Sequence, residues 1–293
     1  MQKIVPHLWF DTQAWEAADF YLSVFPKSKD LGRYVIHDTP SGDAQSVTLE
    51  LYGQKFMFIS AGPFFTINPS VSFLIACTSK EEVDALWNRL IEGGNAMMDL
   101  DTYPFSEHYG WVVDKFGVSW QIMLMGDIPF SQKITPTMMF VGDNVGKCEA
   151  AIKDYTTLFN HAKINGLDRY GEGMEPNHPE MIKHISFDLE NQAFAAMDSA
   201  YEYPFDFSEA ISFIVYCDTQ AEIDYYWEHL SFVPEAEQCG WLKDKYGFSW
   251  QIVPTLMEDM LNNGSPDQTN RVTQAFLQMH KFIIADLLKA YQK

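Results

Sequence analysis

A long motif occurs twice in this chain of 293 residues. The segment GWVVDKFGVSWQI at residues 110–122 returns as GWLKDKYGFSWQI at residues 240–252. A repeat of this length and spacing predicts two similar domains in tandem, so the differences between the copies become informative. The flanking matches place the first domain at residues 1–128, the second at residues 132–256, and a C-terminal extension at residues 257–293.

The second copy is shorter than the first at one place. Ser72 matches Ser212, 140 residues further along, whereas the later motif repeats after 130 residues. The deletion falls around residues 93–108. In the first copy we expect this segment to be an edge strand or a loop, with the long loop over residues 99–108. Such a loop is able to cover a cleft. We therefore predict that one cleft binds a ligand and that the other is mainly structural.

Composition and charge restrict the class of protein. A hydrophobic fraction of 47%, with 15% aromatic residues, is enough for two ordinary cores. No apolar run reaches the roughly 20 residues of a membrane span, and the N-terminus has no signal pattern, so we expect a cytoplasmic protein. The formal charge of −20 repels phosphate backbones and anionic membranes. We therefore expect neither nucleic acid nor a membrane as a partner.

The four cysteines are expected to be reduced thiols. Cys77 and Cys217 occupy the same place in the two copies, on apolar segments where a small buried side chain suffices. Cys239 precedes the second Gly-Trp motif at the predicted rim of a cleft, with Lys243 and Lys245 on the same hairpin. A reactive thiolate and a packed thiol are both open there, and packing is favoured because no histidine is near in sequence.

Apolar spacing predicts the order β-α-β-β-β twice in each copy. The elements predicted for the first copy are a strand over 4–10, a helix over 14–25, a hairpin over 47–60, a strand over 71–77, a helix over 80–91 capped by Thr78 or Ser79, and strands over 109–113 and 118–124. In the C-terminal segment 268–293, apolar residues at helical spacing predict one amphipathic helix. They are Val272, Phe276, Met279, Ile283 and Leu287.

The element order and several sequence motifs resemble the vicinal oxygen chelate superfamily of glyoxalases, bleomycin resistance proteins and dioxygenases. The closest resemblance is to its PhnB-like group, which bears the label 3-demethylubiquinone-9 3-methyltransferase. The resemblance rests on HLWF at residues 7–10, AISF at 210–213, CGWLKDKYG at 239–247 and the tail at 271–285.

The resemblance implies an α+β fold of tandem vicinal oxygen chelate domains with a C-terminal helix. Each domain would have two βαβββ modules that curl an antiparallel sheet around a cleft. The chain would then be a pseudo-dimer, a covalent version of the dimer that single-domain relatives form, and a further homodimer stays open.

In the glyoxalase I branch, the resemblance implies four metal ligands that line the cleft. The positions in the first copy are Pro6, Ile59 or Ser60, Ser72 and Gln121, and in the second copy Pro136, Asp198 or Ser199, Ser212 and Gln251. A divalent ion needs several imidazole or carboxylate donors, which neither set supplies. No cofactor is therefore predicted, although a divalent metal stays open. A register shift of one residue would replace Pro6 by His7, with Thr137 at the equivalent position.

Three histidine-containing features suggest metal or ligand binding, but each also has a simpler structural explanation. For His7, which lies on an apolar strand, a hydrogen-bonded structural histidine is favoured over a ligand. Glu107 and His108 are neighbours on a strand and should point to opposite faces, so they do not form a ligand pair. His178 lies in a segment typical of a solvated loop.

The candidate binding residues are aromatic or polar side chains expected around the clefts. They are Trp9, Ser72, Trp111, Gln121, Ser212, Cys239, Trp241 and Gln251. The tryptophans can stack on a flat ligand or pack in the core. The two glutamines need hydrogen-bond partners if buried, and either a ligand or a neighbouring backbone group can provide one.

The resemblance implies two classes of function. The first is binding of a small, neutral or cationic, partly aromatic molecule in a metal-free cleft, as bleomycin resistance proteins sequester their ligands. The alternative is a metal-dependent lyase, isomerase or dioxygenase. The methyltransferase label is discounted, because the chain has no glycine-rich turn of the nucleotide-binding kind after its first strand.

Overall fold

The structure is a computed structural model that describes residues 2–39 and 42–292. The first copy contains β1 (Ile4–Phe10), α1 (Ala14–Val24), β2 (Lys29–Thr39), β3 (Gly42–Leu51), β4 (Gln54–Ser60), β5 (Val71–Cys77), α2 (Lys80–Leu90), β6 (Asn95–Tyr103), β7 (Ser106–Val113) and β8 (Ser119–Leu124). The second contains β9 (Ile134–Phe140), α3 (Cys148–Leu158), β10 (Lys163–Arg169), β11 (Ile182–Leu189), β12 (Gln192–Asp198), β13 (Ile211–Cys217), α4 (Gln220–Leu230), β14 (Trp241–Lys243) and β15 (Ser249–Pro254). The extension contains α5 (Leu256–Asn263), α6 (Pro266–Phe276) and α7 (Ile284–Gln292).

The strands form two sheets in two compact units, and each unit combines parts of both copies. Unit 1 comprises Met1–Asp19, Ser28–Thr66 and Ser208–Lys293, with the strand order β14-β15-β13-β1-β4-β3-β2. Unit 2 comprises Phe20–Lys27 and Ile67–Phe207, with the order β10-β11-β12-β9-β5-β8-β7-β6. The boundary between the sequence copies, near residues 128–132, is therefore not a boundary between compact units.

The α+β class is confirmed, and the first three modules are βαβββ, whereas the last is βαββ. The sheets are mixed and not wholly antiparallel. Within the first module, β1 pairs in parallel with β4, while β2, β3 and β4 pair antiparallel in succession. This follows from the module itself. The helix returns the chain to the end at which β1 began, so β2, and two reversals later β4, run in the direction of β1. Modules from different copies join antiparallel, through β1 with β13 and β5 with β9.

The length difference between the copies is one edge strand. In unit 2, β6 lies at the sheet edge and pairs with β7, and the turn between them is at Tyr103–Ser106. The prediction of an edge strand around residues 93–108 is confirmed. The prediction of a long loop over residues 99–108 is wrong, because most of that segment is a hairpin. The last module of the chain passes from α4 to β14 without such a strand.

The motif that repeats in both copies builds a tight turn around a buried carboxylate. Asp114 Oδ1 accepts backbone N–H bonds from Phe116 and Val118, at 2.9 and 3.1 Å, and its Oδ2 accepts the indole N–H of Trp120 at 2.9 Å. Asp244 makes the same three bonds in unit 1. Burial raises the pKa of Asp114. Tyr21 of α1 also donates its hydroxyl to Asp114 Oδ2 at 2.6 Å, so both carboxylate oxygens are satisfied within the protein and the repeated motif is structural.

The prediction of one helix over residues 268–293 is wrong. That segment contains most of α6, then a seven-residue break and then α7, and α5 precedes it. In the break, the carbonyl groups of Met279 and His280 accept the N–H groups of Cys239 and Gly240, at 2.8 and 2.7 Å. Cys239 and Gly240 correspond to Tyr109 and Gly110 of β7 in the first copy. The extension therefore satisfies the N–H groups of the two residues that precede β14, whereas β14 itself bonds to Gln238 and Phe232 on its outer side.

Gly240 is required for this docking. It has φ +83°, and a Cβ at this position would lie 2.5 Å from Phe282 Cε2.

In the described residues, no helix is long and apolar enough to cross a membrane.

Candidate functional site

The first strand presents alternate side chains to opposite faces of the unit 1 sheet. Ile4 and Leu8 are buried on one face, whereas His7 and Trp9 line a cavity on the other. The sequence alignment placed Pro6 at the cleft position of this strand. That placement is wrong by one residue, and His7 occupies the position.

The unit 1 cavity has a volume of about 690 Å³. Its wall is mostly aromatic and aliphatic, and it includes Trp9, Tyr34, Phe64, Phe65, Tyr216 and Trp241. The C-terminal extension contributes Met257, Leu261, Phe276, Leu277 and Phe282. The cavity thus depends on the first copy, the second copy and the extension together.

The floor of the cavity joins strands from both copies. His7 of β1 lies directly opposite Ser212 of β13, and Gln251 of β15 donates from Nε2 to Ser212 Oγ at 3.0 Å. Met57 of β4 lies beside His7 on the other side. The sequence had grouped Ser72 and Gln121 with the first strand of the same copy, and this grouping is wrong, because β5 and β8 belong to the sheet of unit 2.

These floor positions do not suit a divalent metal ion. Ser212 is fully buried and does not line the cavity. The three lining side chains, His7, Met57 and Gln251, offer one imidazole, one thioether and one amide, whereas Zn²⁺ and similar ions need several imidazole, carboxylate or thiolate ligands. Among the described residues, no group of three His, Cys, Asp or Glu side chains is arranged to hold a metal. The metal chemistry of the glyoxalase I branch therefore has no matching ligand set in this cavity.

His7 is buried, and its Nδ1 has no hydrogen-bond partner among the described residues. Burial lowers the pKa of the imidazole to about 3, so the ring is neutral at physiological pH. The ring meets Trp241 edge-on, with 5.4 Å between the ring centroids. The expectation of a hydrogen-bonded structural histidine is therefore not met at Nδ1.

The two cavity tryptophans form an aromatic wall. Trp9 donates from Nε1 to the carbonyl of Gly62 at 2.8 Å, which fixes the orientation of its indole. Phe65 packs edge-on against Trp9 at 5.1 Å, and Trp241 lies 6.2 Å from Trp9. The sequence proposed these tryptophans as candidates, and the structure brings them together in one cavity.

Cys239 also lines the cavity and is half-buried. It adopts φ 53°, and its Sγ accepts a hydrogen bond from Gln238 Nε2 at 3.3 Å. Burial raises the pKa of the thiol, which disfavours the thiolate. Lys243, which the sequence placed nearby, forms an ion pair with Glu209 at 2.8 Å.

In unit 2, the side chains at corresponding positions pack into a hydrophobic cluster. Trp111, the counterpart of Trp241, is 7% exposed and donates from Nε1 to Ser119 Oγ at 2.7 Å. Tyr109, Met139 and Val141 are the other buried members. Partly buried side chains packed against them are Met98, Tyr103, Met123, Met197, Tyr203 and Phe205. Trp111 therefore packs in a core, which was one of its two expected roles.

Gln121 is held at both ends of its amide in unit 2. Its Nε2 donates to Ser72 Oγ at 2.8 Å, and its Oε1 accepts from the hydroxyl of Tyr109 at 2.7 Å. These side-chain partners satisfy the buried amide, so Ser72, Trp111 and Gln121 form a packed interior.

The remaining histidine features are peripheral. His108 pairs with Asp84 at 2.7 Å, while Glu107 pairs with Lys80 at 3.7 Å. These separate partners agree with the expectation that Glu107 and His108 form no ligand pair. His178 is exposed in a loop, as predicted.

Sequence reasoning missed several cavity residues, among them Tyr34, Met57, Tyr216 and Phe282. Alternation along β4 carries a signal for Met57, whereas β2 shows no periodicity of two and gives no such signal for Tyr34. The contributions of Tyr216 and Phe282 depend on pairing between the copies and on docking of the tail, which no local pattern records.

Comparison with known proteins places the fold and the repeat in a family. The sequence model for 3-demethylubiquinone-9 3-methyltransferase matches residues 2–123 and again residues 132–253. The chain belongs to this family. It carries two tandem copies of the PhnB-like domain, and its fold is that of the vicinal oxygen chelate superfamily.

Two groups of solved structures resemble this member of the 3-demethylubiquinone-9 3-methyltransferase family. The PhnB protein of Bacillus cereus is 36% identical over 42% of this chain and 99% of its own, with a TM-score of 0.40. Glyoxalase I from Zea mays is 12% identical over 89% of this chain and 98% of its own, with a TM-score of 0.54. The maize enzyme shows likeness of fold alone. No curated protein matches the chain.

Proposed function

We propose that the protein binds a small, neutral or cationic, partly aromatic molecule in the unit 1 cavity, without a metal. The observation that carries this proposal is the cavity itself, with its aromatic wall and a neutral imidazole whose Nδ1 has no hydrogen-bond partner among the described residues. Its volume of about 690 Å³ falls in the range of about 300–1,000 Å³ that is usual for small-molecule sites.

The charges around the cavity disfavour an anionic ligand. Glu209, Glu235 and Glu258 line it, and no lysine or arginine is among its described lining residues. Two of the acids are partly neutralised by ion pairs, Glu209 with Lys243 and Glu258 with Lys55 at 2.7 Å. The wall offers broad aromatic contact, which supports a ligand whose body is flat and apolar.

Methyl transfer, the reaction in the family name, receives no support from the residues of this chain. The sequence has no glycine-rich turn for a nucleotide-type cofactor. The metal-dependent lyase, isomerase or dioxygenase reaction also lacks a matching ligand set at the cavity floor. Binding without chemistry requires only the side chains that are present, and unit 2 is proposed to be mainly structural.

The proposal is tested with N-phenyl-1-naphthylamine, a neutral aromatic probe whose emission rises when it leaves water. We expect saturable binding by the wild-type chain. Ile59 lines the cavity, so Ile59→Trp should fill part of it and weaken binding at least about tenfold. Met197 is the equivalent position in unit 2, because Met139 pairs with it as Trp9 pairs with Ile59. Met197→Trp is the matched control and should leave binding unchanged.

Absence of saturable binding to the wild type would contradict the proposal for this class of ligand. Equal binding by the wild type and Ile59→Trp, with Met197→Trp weakened, would place the site in unit 2.

A further inference from the structure

Gln121 in unit 2 and Gln251 in unit 1 occupy equivalent positions but have different surroundings. In unit 2, Gln121 uses both ends of its amide within the protein, at Ser72 and at Tyr109. In unit 1, Gln251 keeps the equivalent bond to Ser212 Oγ at 3.0 Å. The position of Tyr109 is occupied by Cys239, whose side chain is too short to replace the phenol hydroxyl.

Gln251 therefore has an amide oxygen without an internal donor. No hydrogen bond to Oε1 is found among the residues that the structure describes, although the side chain is only 7% exposed and lines the cavity. This oxygen is not among the fully buried atoms without a partner, so it is open to the cavity, where a bound molecule can supply the missing donor. In unit 2, the equivalent oxygen is satisfied within the protein by Tyr109.

His7 lines the same cavity from the same sheet. It is directly opposite Ser212, the residue that anchors the Gln251 amide. Its counterpart in unit 2 is Thr137, so the imidazole, like the unclamped amide, is specific to unit 1. A neutral imidazole has one donor and one acceptor nitrogen.

The aromatic wall begins beside these polar groups. Trp241 pairs with Gln251 across β14 and β15, and its ring lies 5.4 Å from that of His7. A flat molecule that rests against Trp241 can therefore direct a polar substituent towards Gln251 and His7.

We propose that Gln251 and His7 form a polar pair that selects aromatic molecules carrying a hydroxyl or N–H group. Gln251 Oε1 accepts the ligand's hydrogen bond, and His7 supplies a second hydrogen bond to the same substituent. This inference rests on the proposed function of the unit 1 cavity and narrows its ligand class. It also assigns to the ligand the role that Tyr109 plays for Gln121, namely the donor to the amide oxygen.

The test compares two neutral probes that differ in one donor. Both 2-naphthol and 2-methoxynaphthalene have the same ring system, but only 2-naphthol has a hydroxyl proton. Their dissociation constants are measured by calorimetry with the wild type, Gln251→Leu and Gln121→Leu. We expect the wild type to bind 2-naphthol about three- to tenfold more tightly, the effect of one neutral hydrogen bond.

In Gln251→Leu, the preference for 2-naphthol should disappear while 2-methoxynaphthalene still binds, which also shows that the variant is folded. Gln121→Leu should keep the wild-type preference. Equal binding of the two probes by the wild type, or a preference that survives in Gln251→Leu, would overturn this inference and leave the cavity proposal intact. Failure of both probes to bind the wild type would overturn both.

Discussion

Replacing each of the two equivalent glutamines by leucine should destabilise the protein to different extents. Gln121→Leu removes the acceptor of the Tyr109 hydroxyl and the donor to Ser72, while preserving side-chain size. Tyr109 is 3% exposed, and burial raises the pKa of its phenol, so the hydroxyl keeps its proton. Leaving such a buried donor unsatisfied costs about 1–3 kcal/mol.

Gln251→Leu removes only the bond to Ser212, because Oε1 of Gln251 has no donor among the described residues. The leucine also adds apolar surface to an already apolar cavity. We expect a loss of about 2 kcal/mol in the free energy of unfolding for Gln121→Leu and about 1 kcal/mol or less for Gln251→Leu.

Urea unfolding followed by far-ultraviolet circular dichroism measures both values, with linear extrapolation to water. Unchanged slopes would show that the variants unfold from the same native state. Equal losses for the two variants, or a larger loss for Gln251→Leu, would refute the argument that one amide is satisfied internally and the other is open.

Two further outcomes are expected. Gly240→Ala should disrupt docking of the C-terminal extension, because its Cβ would meet Phe282. Gly171→Ala is the control, since it also replaces a glycine with positive φ but has open space around it. Limited proteolysis should release the extension only in Gly240→Ala, and equal resistance of both variants would contradict this. Burial lowers the pKa of His7 from 6.5 to about 3, so below pH 6.5 the unfolded chain binds a proton that the folded chain does not. The wild type should therefore lose roughly 1.4 kcal/mol of stability per pH unit relative to His7→Phe as the pH falls from 6.5 towards 3. Urea unfolding at about pH 7.5 and about pH 4.5 measures this difference, and parallel losses in the two proteins would show that His7 is protonated in the folded state.

The modules were predictable from the sequence because their signals are local. Alternation marks the first strand, and Ser79 caps α2 just before a run of helical spacing. The deletion between the copies identified the edge strand that the last module lacks. Each of these features depends on residues within about one element of each other, where periodicity and capping preferences act.

The exchange of modules between the copies could not be predicted in the same way. His7 pairs with Ser212 although the two residues are far apart in the sequence, and no periodicity specifies such a pairing. The assignment of Pro6 to the cleft shows a second difficulty, since a slip of one residue moves every side chain of a strand to the other face. Both errors hid His7 from the candidate site.

The tail shows how tertiary hydrogen bonds override a helical pattern. Its apolar spacing continues without interruption through Met279 and Ile283. Nevertheless, the chain leaves the helix after Phe276, because the carbonyls of Met279 and His280 are used by Cys239 and Gly240. Propensity is a weak determinant when a sheet edge offers such partners.

The stoichiometry of probe binding separates one functional cavity from two most directly. Calorimetric titration of the wild-type chain with N-phenyl-1-naphthylamine should give one bound probe per chain, and Ile59→Trp should weaken that binding at least about tenfold. Two equivalent probes per chain, or one probe that binds Ile59→Trp as tightly as the wild type, would contradict a single ligand cavity in unit 1.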